Sequence, residues 1–401
     1  MATLWYFIKV FFNQPSIKIT FEYILKGWFI WLPLLAAYLF WETWLNYIHL
    51  TFIRNLTWTL LEIKIPREIA KSPRAMEVVL NALHNTKSGN MLERYWKGFL
   101  RIWYSLEIIS IGGQIHFLIY VQTPFRNFVE AQIYAQYPGA EITEVDDYTQ
   151  FISPENINDG DKEWKMWGAE FALLKEEAFP IRTYVDFGLE PGKIKEEEKT
   201  DPLTSFLESL GSIKDGEQIW FQILIRPADK DWKDRAEPLI EELQQKKGGT
   251  IEESDFAKTL LSPGQREVLT AVERNVSKLG YETGIRAIYI ARSDVYNSIR
   301  PVFLTGAMKQ YNTQNMNGFK PGKTTSVDYF FKKIREARRK KMMFQAYKER
   351  SYFYIPFKKK PFVLNTEALA TLYHFPGRVA ETPTLGRIEA KRGEPPINLP
   401  V

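Results

Sequence analysis

One apolar block near the start of the chain constrains the fold more than any other feature. It spans residues 24–53, and its core, residues 27–41, contains no charged side chain. The block is longer than the roughly 20 residues that a helix needs to cross the hydrocarbon core of a bilayer. Tryptophan and tyrosine, which favour the lipid headgroup region, recur along it. We therefore predict a transmembrane helix at about residues 24–53.

Other interpretations of this block stay open. Lys9, Lys18 and Lys26 precede it, as basic residues precede the apolar part of a cleaved signal peptide. An interfacial or re-entrant segment is a second alternative. A buried helix of a soluble core is a third, which Pro33 and Glu42 favour slightly. The basic residues on the two sides of the block are similar in number, so they determine the orientation only weakly.

Composition narrows the chemistry of the remaining chain. There is no cysteine, which excludes disulfides, thiolate catalysis and cysteine zinc sites. The four histidines are scattered, and none forms a pair with metal-ligand spacing. We predict neither a metal site nor a cofactor.

The region after the block predicts a β-α-β-β-α-β order over residues 56–152. Strand-like runs and helical runs alternate, and Gly112-Gly113 is a hairpin signal between the two middle strands. The predicted elements are a strand at 58–65, a helix at 73–85, strands at 99–110 and 114–121, a helix at 124–138 and a strand at 140–148. This order is that of a ferredoxin-like domain, an antiparallel sheet with two helices on one face.

A similar order recurs over residues 160–315, with an insertion between the middle strands. The predicted elements are strands at 169–176 and 181–188, a helix at 202–210, a strand at 216–227, polar helices at 230–247 and 263–279, a strand at 282–293 and a helix at 293–312. Pro301 should kink or interrupt the last helix.

The predicted fold is therefore α+β. A transmembrane helix is followed by two tandem ferredoxin-like antiparallel-sheet domains, the second of them elaborated. The predicted divisions are residues 1–55, 56–152, 160–315 and 316–401, the last being a basic–aromatic segment with a tail rich in Pro and Gly.

Basic residues concentrate in residues 320–360. Fourteen Lys and Arg stand there against Asp328, Glu336 and Glu349, with aromatic residues interleaved. This composition suits the phosphates and bases of nucleic acid or an anionic membrane surface. A solvated helix whose aromatic residues dock on their own domain is equally open. The predicted phosphate or headgroup contacts are Lys332, Lys333, Arg335, Arg338, Arg339, Lys340 and Lys341.

Motifs that would indicate an enzyme are weak. Gly322-Lys323-Thr324 resembles the end of a phosphate-binding loop, but Asn317 occupies the position of its first glycine. No G-x-S-x-G, S-x-x-K or H-E-x-x-H motif occurs. An enzyme with scattered carboxylates such as Glu141, Glu144 and Asp146 stays a rival hypothesis. We predict that the chain is not an enzyme and assign no catalytic residue.

Five segments of the sequence resemble those of a known protein family. They are IPREIAKSPRAMEVVLNALH, SLEIISIGGQIHFLIYV, VEAQIYAQYPGAEITEVDDY, YETGIRAIYIARSDVYNSIRPVFLTGAMKQYN and FVLNTEALATLYHFPG. Over most of residues 57–400 the chain resembles the amino-terminal, membrane-anchored regions of conjugative, type IV secretion-type DNA-transfer proteins of candidate-phylum bacteria. In longer relatives such a region leads into a HerA/FtsK-like motor domain with a phosphate-binding loop. The sequence stops at Val401, before such a domain, so the family's ATPase activity is not carried over.

The resemblance implies a non-catalytic, single-pass platform in the cytoplasmic membrane. The basic segment at residues 320–360 favours a main body in the cytoplasm. The expected partners of the platform are membrane lipid, a HerA/FtsK-like motor ATPase or secretion-channel subunits, DNA, and further copies of the chain. Residues 365–400 would link it to the motor. The alternative is a membrane-surface scaffold that binds anionic lipid through its basic segment and has no part in DNA transfer.

Overall fold

The computed structural model describes residues 23, 26–66, 71–157, 163–190, 201–229, 231–245 and 262–376. Lys9, Lys18 and residues 377–400 of the predicted linking segment lie outside these residues. The chain forms two compact units. The first comprises residues 1–55 with 88–100, and the second comprises residues 56–87 with 101–401.

The second unit contains both helices and strands. The helices of the chain are α1 (Trp28–Arg54), α2 (Arg74–Leu83), α3 (Met91–Tyr95), α4 (Arg126–Gln136), α5 (Pro202–Gly211), α6 (Asp231–Asp234), α7 (Glu237–Gln245), α8 (Pro263–Ser277), α9 (Arg300–Met308), α10 (Lys332–Lys348) and α11 (Thr366–Leu372). The strands are β1 (Trp58–Lys64), β2 (Tyr104–Ile111), β3 (Gln114–Gln122), β4 (Glu141–Glu144), β5 (Trp164–Leu173), β6 (Glu217–Pro227), β7 (Gly280–Arg292), β8 (Phe319–Thr324) and β9 (Phe362–Asn365).

The first unit is built around α1. Within the described residues, α1 is the one helix that is long and apolar enough to span a membrane. Its 27 residues correspond to a length of about 40 Å at 1.5 Å per residue. Leu34 and Phe40 are each 67 % exposed, and Ile48 is the one buried residue of the helix. This exposure argues against a helix buried in a soluble core.

Residues 88–100 pack on the second half of α1. The indole Nε1 of Trp44 donates a hydrogen bond to the carbonyl of Tyr95 at 3.2 Å, and its ring meets Trp96 edge-on. Gly98 has a φ of +69°, and a Cβ there would lie 2.5 Å from the carbonyl oxygen of Ile48. A glycine is therefore needed for this close approach.

The second unit contains one continuous antiparallel sheet. The strand order is β4-β1-β3-β2-β6-β7-β5-β8, and β9 pairs with β7. The pairing of β2 with β6 joins the four strands β4, β1, β3 and β2 to the four strands β6, β7, β5 and β8, and we call these two groups the halves of the sheet. This pairing runs from Tyr104 opposite Ile225 to Ile111 opposite Gln218. The predicted α+β class, with antiparallel strands and one apolar helix near the amino terminus, is confirmed. The boundaries of the two predicted domains stay predictions, and both regions, except residues 88–100, lie within this unit.

Helices cover both faces of the sheet. On one face, strand residues such as Phe117 and Ile223 share a core with Val79 of α2, Leu207 of α5 and Leu369 of α11. On the other face, Leu118, Trp220 and Ile288 share a core with Phe344 and Tyr347 of α10. Because successive residues of a strand point to opposite faces, the strands β1, β2, β3, β5, β6 and β7 contribute to both cores. The second face is covered by residues that the sequence marks as the basic segment.

Local backbone chemistry explains where the predicted elements differ from the observed ones. Gly112 and Gly113, with φ of +58° and +91°, form the predicted hairpin between β2 and β3. The strand predicted at 181–188 is wrong. These residues turn, because the Asp186 carboxylate accepts a hydrogen bond from the backbone N–H of Thr183 at 2.7 Å. The helix predicted at 293–312 is wrong before Arg300, where α9 begins, so the predicted run is interrupted at Pro301 rather than kinked. Pro301 occupies the first turn of α9, where its missing N–H costs nothing.

Candidate interaction surface

The basic segment folds back on the sheet rather than extending from it. Helix α10 begins near Phe331, and its inward residues Phe344 and Tyr347 are fully buried. Both rings pack against Trp220 of β6, with ring centroids 5.8 and 5.5 Å apart. Tyr352 and Phe353, which follow the helix, are also buried. The interpretation in which the aromatic residues dock on their own domain therefore holds for these four.

A buried arginine fixes the end of this segment. Arg350 is 1 % exposed, and its Nε donates to the Glu107 carboxylate at 3.1 Å. Its Nη2 donates to Asp147 Oδ1 at 3.0 Å, and its guanidinium lies 4.3 Å from the ring centroid of Tyr120. Tyr148 donates a further hydrogen bond to Glu107. Arg350 of the basic segment thus supplies the positive charge that balances the carboxylates of Glu107 and Asp147 in the second unit.

The pKa shifts of this cluster agree with the geometry. Burial lowers the pKa of Arg350, but the negative charge of Glu107 and the hydrogen bond to Asp147 outweigh it, so the pKa lies well above its usual value. Burial raises the pKa of Asp147, and the hydrogen bond and positive charge of Arg350 reverse this shift, so the pKa lies below its usual value. The pair is therefore charged at neutral pH.

Arg350 docks on a row of polar side chains that crosses the sheet. Glu107, Gln222, Arg286 and Glu170 lie opposite one another on β2, β6, β7 and β5. The carbonyl of Ser351 accepts from Arg286 at 2.6 Å, and Lys359 lies 3.3 Å from Glu170. Charged side chains that are buried in this way need hydrogen-bond or ionic partners, because burying an unpaired charge is energetically unfavourable. Three residues of the basic segment therefore contact three of the four positions of the row.

The outward side of α10 carries the predicted contact residues. Lys332, Lys333, Arg335, Arg338 and Lys341 are exposed, and we call these five the basic flank. Lys340 is buried. Arg339 is partly buried, and its guanidinium donates to the carbonyls of Thr324 and Ser326 and to the hydroxyl of Tyr329. The structure therefore leaves five of the seven predicted residues exposed.

Three apolar side chains stand beside the basic flank. Phe330, Phe331 and Ile334 are 87 %, 72 % and 70 % exposed, and we call them the apolar tip. Phe331 has a φ of +62°, which is rare for a bulky residue. Phe330 and Phe331 were not among the residues predicted from the sequence. Two phenylalanines directly before two lysines are the signal that could have identified them.

A polar cavity of about 320 Å³ lies elsewhere in the second unit. Its lining includes Arg182, Asp186, Arg274, Asn315 and Glu367. The Glu367 carboxylate is 2.6 Å from both Arg274 and Lys278, and it accepts a hydrogen bond from Thr183. A carboxylate held by two cations serves as their counter-ion, so the cavity offers no free general base at Glu367.

The carboxylates of the rival enzyme hypothesis do not converge. Glu141 and Glu144 lie on β4 at the edge of the sheet, where both are exposed, and Glu144 pairs with Arg126. Asp146 is exposed, whereas Asp147 turns inward to Arg350. None of the first three lines the cavity. Among the described residues, no group of three or more His, Asp or Glu could hold a metal ion.

Comparison with known proteins identifies one family. A family model described as Domain of unknown function (DUF8128) matches residues 51–387. No curated protein matches the chain at a significant level. The matched range is more than half of the chain, and it includes every strand of the sheet, the basic flank and the apolar tip.

Proposed function

This chain belongs to the DUF8128 family, whose shared region begins near the end of α1, and we propose that it is a non-catalytic, membrane-anchored assembly platform. The observation that carries the proposal is the exposure of α1. The side chains of Phe29, Leu34 and Phe40 are more than half exposed, with no described part of the chain covering them. A soluble protein rarely leaves such a large apolar surface in water.

A bilayer is the environment that suits this helix. Its length exceeds the ~30 Å hydrocarbon thickness, and a helix satisfies its backbone hydrogen bonds internally, except where Pro33 lacks an N–H. Trp28 is the first residue of the helix, where an indole ring favours the headgroup layer. We propose a body on the cytoplasmic side, because the cytoplasmic leaflet carries the anionic lipids that would attract the exposed basic flank. We accordingly assign the chain to the cytoplasmic membrane as a single-pass protein.

We further propose that the body consists of two ferredoxin-like units fused through β2 and β6. The first ferredoxin-like unit, which excludes α3 and the rest of residues 88–100, has the chain order β1-α2-β2-β3-α4-β4 and the sheet order β4-β1-β3-β2. The second has the chain order β5-α5-β6-β7-α9-β8 and, from its outer edge, the sheet order β8-β5-β7-β6. The same strand permutation in both halves supports this division.

The proposed partner is a HerA/FtsK-like motor ATPase or a secretion-channel subunit, as in type IV secretion-type DNA transfer. The resemblance of the sequence supports this choice. An exposed apolar face on α9 offers a docking surface of suitable chemistry, formed by Ile299, Val302 and Phe303. Further copies of the chain and DNA are secondary proposed partners. The alternative, a lipid-binding scaffold unrelated to DNA transfer, shares the anchor and differs in its partner.

The anchor is tested by alkaline carbonate extraction of native membranes. The wild-type chain is expected to stay in the pellet, and Leu35→Arg combined with Leu39→Arg should release it. Each arginine near the centre of a membrane helix costs about 2.5–3.5 kcal/mol. Phe151→Arg, at an exposed position of the second unit, is the matched control and should stay in the pellet. Release of the wild-type chain by carbonate would refute the membrane anchor.

The partner is tested by purification of the tagged full-length chain from native membranes, followed by mass spectrometry. We expect to recover a HerA/FtsK-like ATPase or secretion-channel subunits. Val302→Asp combined with Phe303→Asp should reduce that recovery at least tenfold, since burying a carboxylate in an apolar interface is unfavourable. Val78→Asp, at an exposed apolar position of α2, is the control. Recovery of only the chain itself and lipid would favour the scaffold alternative.

A further inference from the structure

We propose that the apolar tip and the basic flank together form a binding site for the headgroup layer of an anionic bilayer. The proposal rests on the proposed membrane-anchored function and names the partner of its exposed basic surface. The phenylalanine and isoleucine side chains would enter the interfacial region. The five basic side chains would reach the phosphate and carboxylate groups of acidic lipids.

The exposure of the apolar tip is the first step of the argument. Phe330 and Phe331 occupy the turn that leads into α10, and Ile334 lies in the first turn of the helix. The left-handed backbone at Phe331 is a conformation that L residues avoid. Its ring is nevertheless 72 % exposed, so no internal packing of that ring offsets the unfavourable backbone. Insertion into a lipid interface would cover all three side chains.

The charges around the tip are the second step. Residues 327–341 contain seven Lys and Arg against Asp328 and Glu336. Glu336 is engaged by the backbone N–H of Val327 at 3.0 Å. Within the described residues, no ion pair engages Lys332, Lys333, Arg338 or Lys341. Their ammonium and guanidinium groups are therefore available to an external anion.

The mixture of side chains favours lipid over nucleic acid. Phenylalanine can stack on bases, but an aliphatic side chain such as Ile334 gains little from a base or a phosphate. The interfacial helices that bind anionic membranes combine Lys and Arg with Phe and Leu-like residues. Arg335 lies 4.9 Å from the ring centroid of Tyr329, which keeps this cation next to an aromatic ring of interfacial character. An anionic lipid surface can therefore bind both the apolar tip and the basic flank.

Because α1 would attach the chain to the membrane, the proposed lipid site needs only a weak affinity for the bilayer. The anchor and the body belong to one chain, so binding of the body to the same bilayer is an intramolecular event. Its effective concentration is set by the tether rather than by the amount of protein. A single amphipathic surface with a few inserted side chains then suffices to hold the body at the bilayer.

The test measures co-sedimentation of the full-length Leu35→Arg/Leu39→Arg chain with vesicles, so that the anchor does not contribute. We expect at least tenfold stronger binding to vesicles of phosphatidylcholine with phosphatidylserine than to phosphatidylcholine alone. Phe330→Ser with Phe331→Ser should weaken binding at least tenfold, since full burial of one phenylalanine contributes more than a factor of ten. Lys332→Gln with Lys333→Gln should weaken it about 25-fold, from roughly fivefold for each charge.

Matched variants at other exposed positions serve as controls. Phe151→Ser removes a phenylalanine that is 79 % exposed, and Lys214→Gln removes an exposed lysine. Both should bind vesicles as the parent chain does. Equal binding to neutral and anionic vesicles, or equal losses in the controls, would overturn the proposal.

Nucleic acid is the competing outcome. If the tip and flank variants lose binding to single-stranded DNA while vesicle binding is unchanged, the surface belongs to nucleic acid and the lipid proposal fails. Carbonate extraction of the wild-type chain reports on the anchor separately. Failure of the lipid site and failure of the proposed membrane anchoring are thereby distinguished.

Discussion

Replacing Arg350 by Met should lower the free energy of unfolding of the second unit by about 3–5 kcal/mol, because removal of one partner leaves buried charge uncompensated. Glu107 is fully buried and would lose its main counter-charge, and Asp147 would lose both of its hydrogen bonds from the guanidinium. Denaturant titration followed by hydrogen exchange of residues 332–352 measures the effect. We expect this segment to lose protection first.

Two further variants separate the charge from the side-chain volume. Arg338→Met changes an exposed arginine of the same segment and should change stability by less than about 0.5 kcal/mol. Glu107→Gln introduced together with Arg350→Met removes the uncompensated carboxylate and should recover part of the loss. If Arg350→Met destabilised no more than Arg338→Met, the role assigned to the buried cluster would be wrong.

Gly284→Ala is expected to destabilise the same unit by about 2–3 kcal/mol. The ring of Tyr352 lies directly on Gly284 of β7, and a Cβ there would be 2.5 Å from three ring carbons. No such contact is tolerated, so the ring must move, and overpacking of this kind typically costs about 1–3 kcal/mol. The ring also covers the buried guanidinium of Arg286, 5.3 Å from its centroid. Its displacement would admit water to that charge, which places the cost towards the upper end.

Gly306→Ala is the matched control for this prediction. It lies in α9 with open space around the added methyl group, and alanine should stabilise the helix by up to about 1 kcal/mol. The measurement is the shift in denaturant midpoint for each variant. Tyr352→Leu combined with Gly284→Ala should be less destabilised than the sum of the two single variants, since the clash is with the ring. Strict additivity would contradict the close packing of Tyr352 on Gly284.

The sequence predicted those elements whose signals are local. The apolar period of α2, the diglycine of the β2–β3 hairpin and the long apolar runs of β6 and β7 each lie within one stretch of chain. Asp186 shows the limit of this approach. The run 181–188 has the composition of a strand, but one carboxylate bonding to the backbone N–H of Thr183 forms a turn instead.

Long-range register was beyond prediction for both the fold and the site. The pairing of β2 with β6 joins residues more than a hundred positions apart, and a shift by one residue would reverse the faces of the strand. Arg350 belonged to a run of basic residues that suggested solvent exposure, and only its approach to Glu107 makes it internal. The outward residues of α10 were predictable as a surface because exposure is the usual state of Lys and Arg. Which of them would turn inward depended on a sheet formed by distant strands.

The uninterrupted ladder from β4 to β8 also has a mechanical consequence. A tensile load applied through α1 would enter the second unit at β1, which is hydrogen-bonded to β4 on one side and to β3 on the other. From there the load passes sideways from strand to strand, through β2 and β6, to the far edge. Backbone hydrogen bonds, rather than a flexible hinge, connect the two halves along this route. The body should therefore transmit force as one stiff plate, with α10 bracing one of its faces.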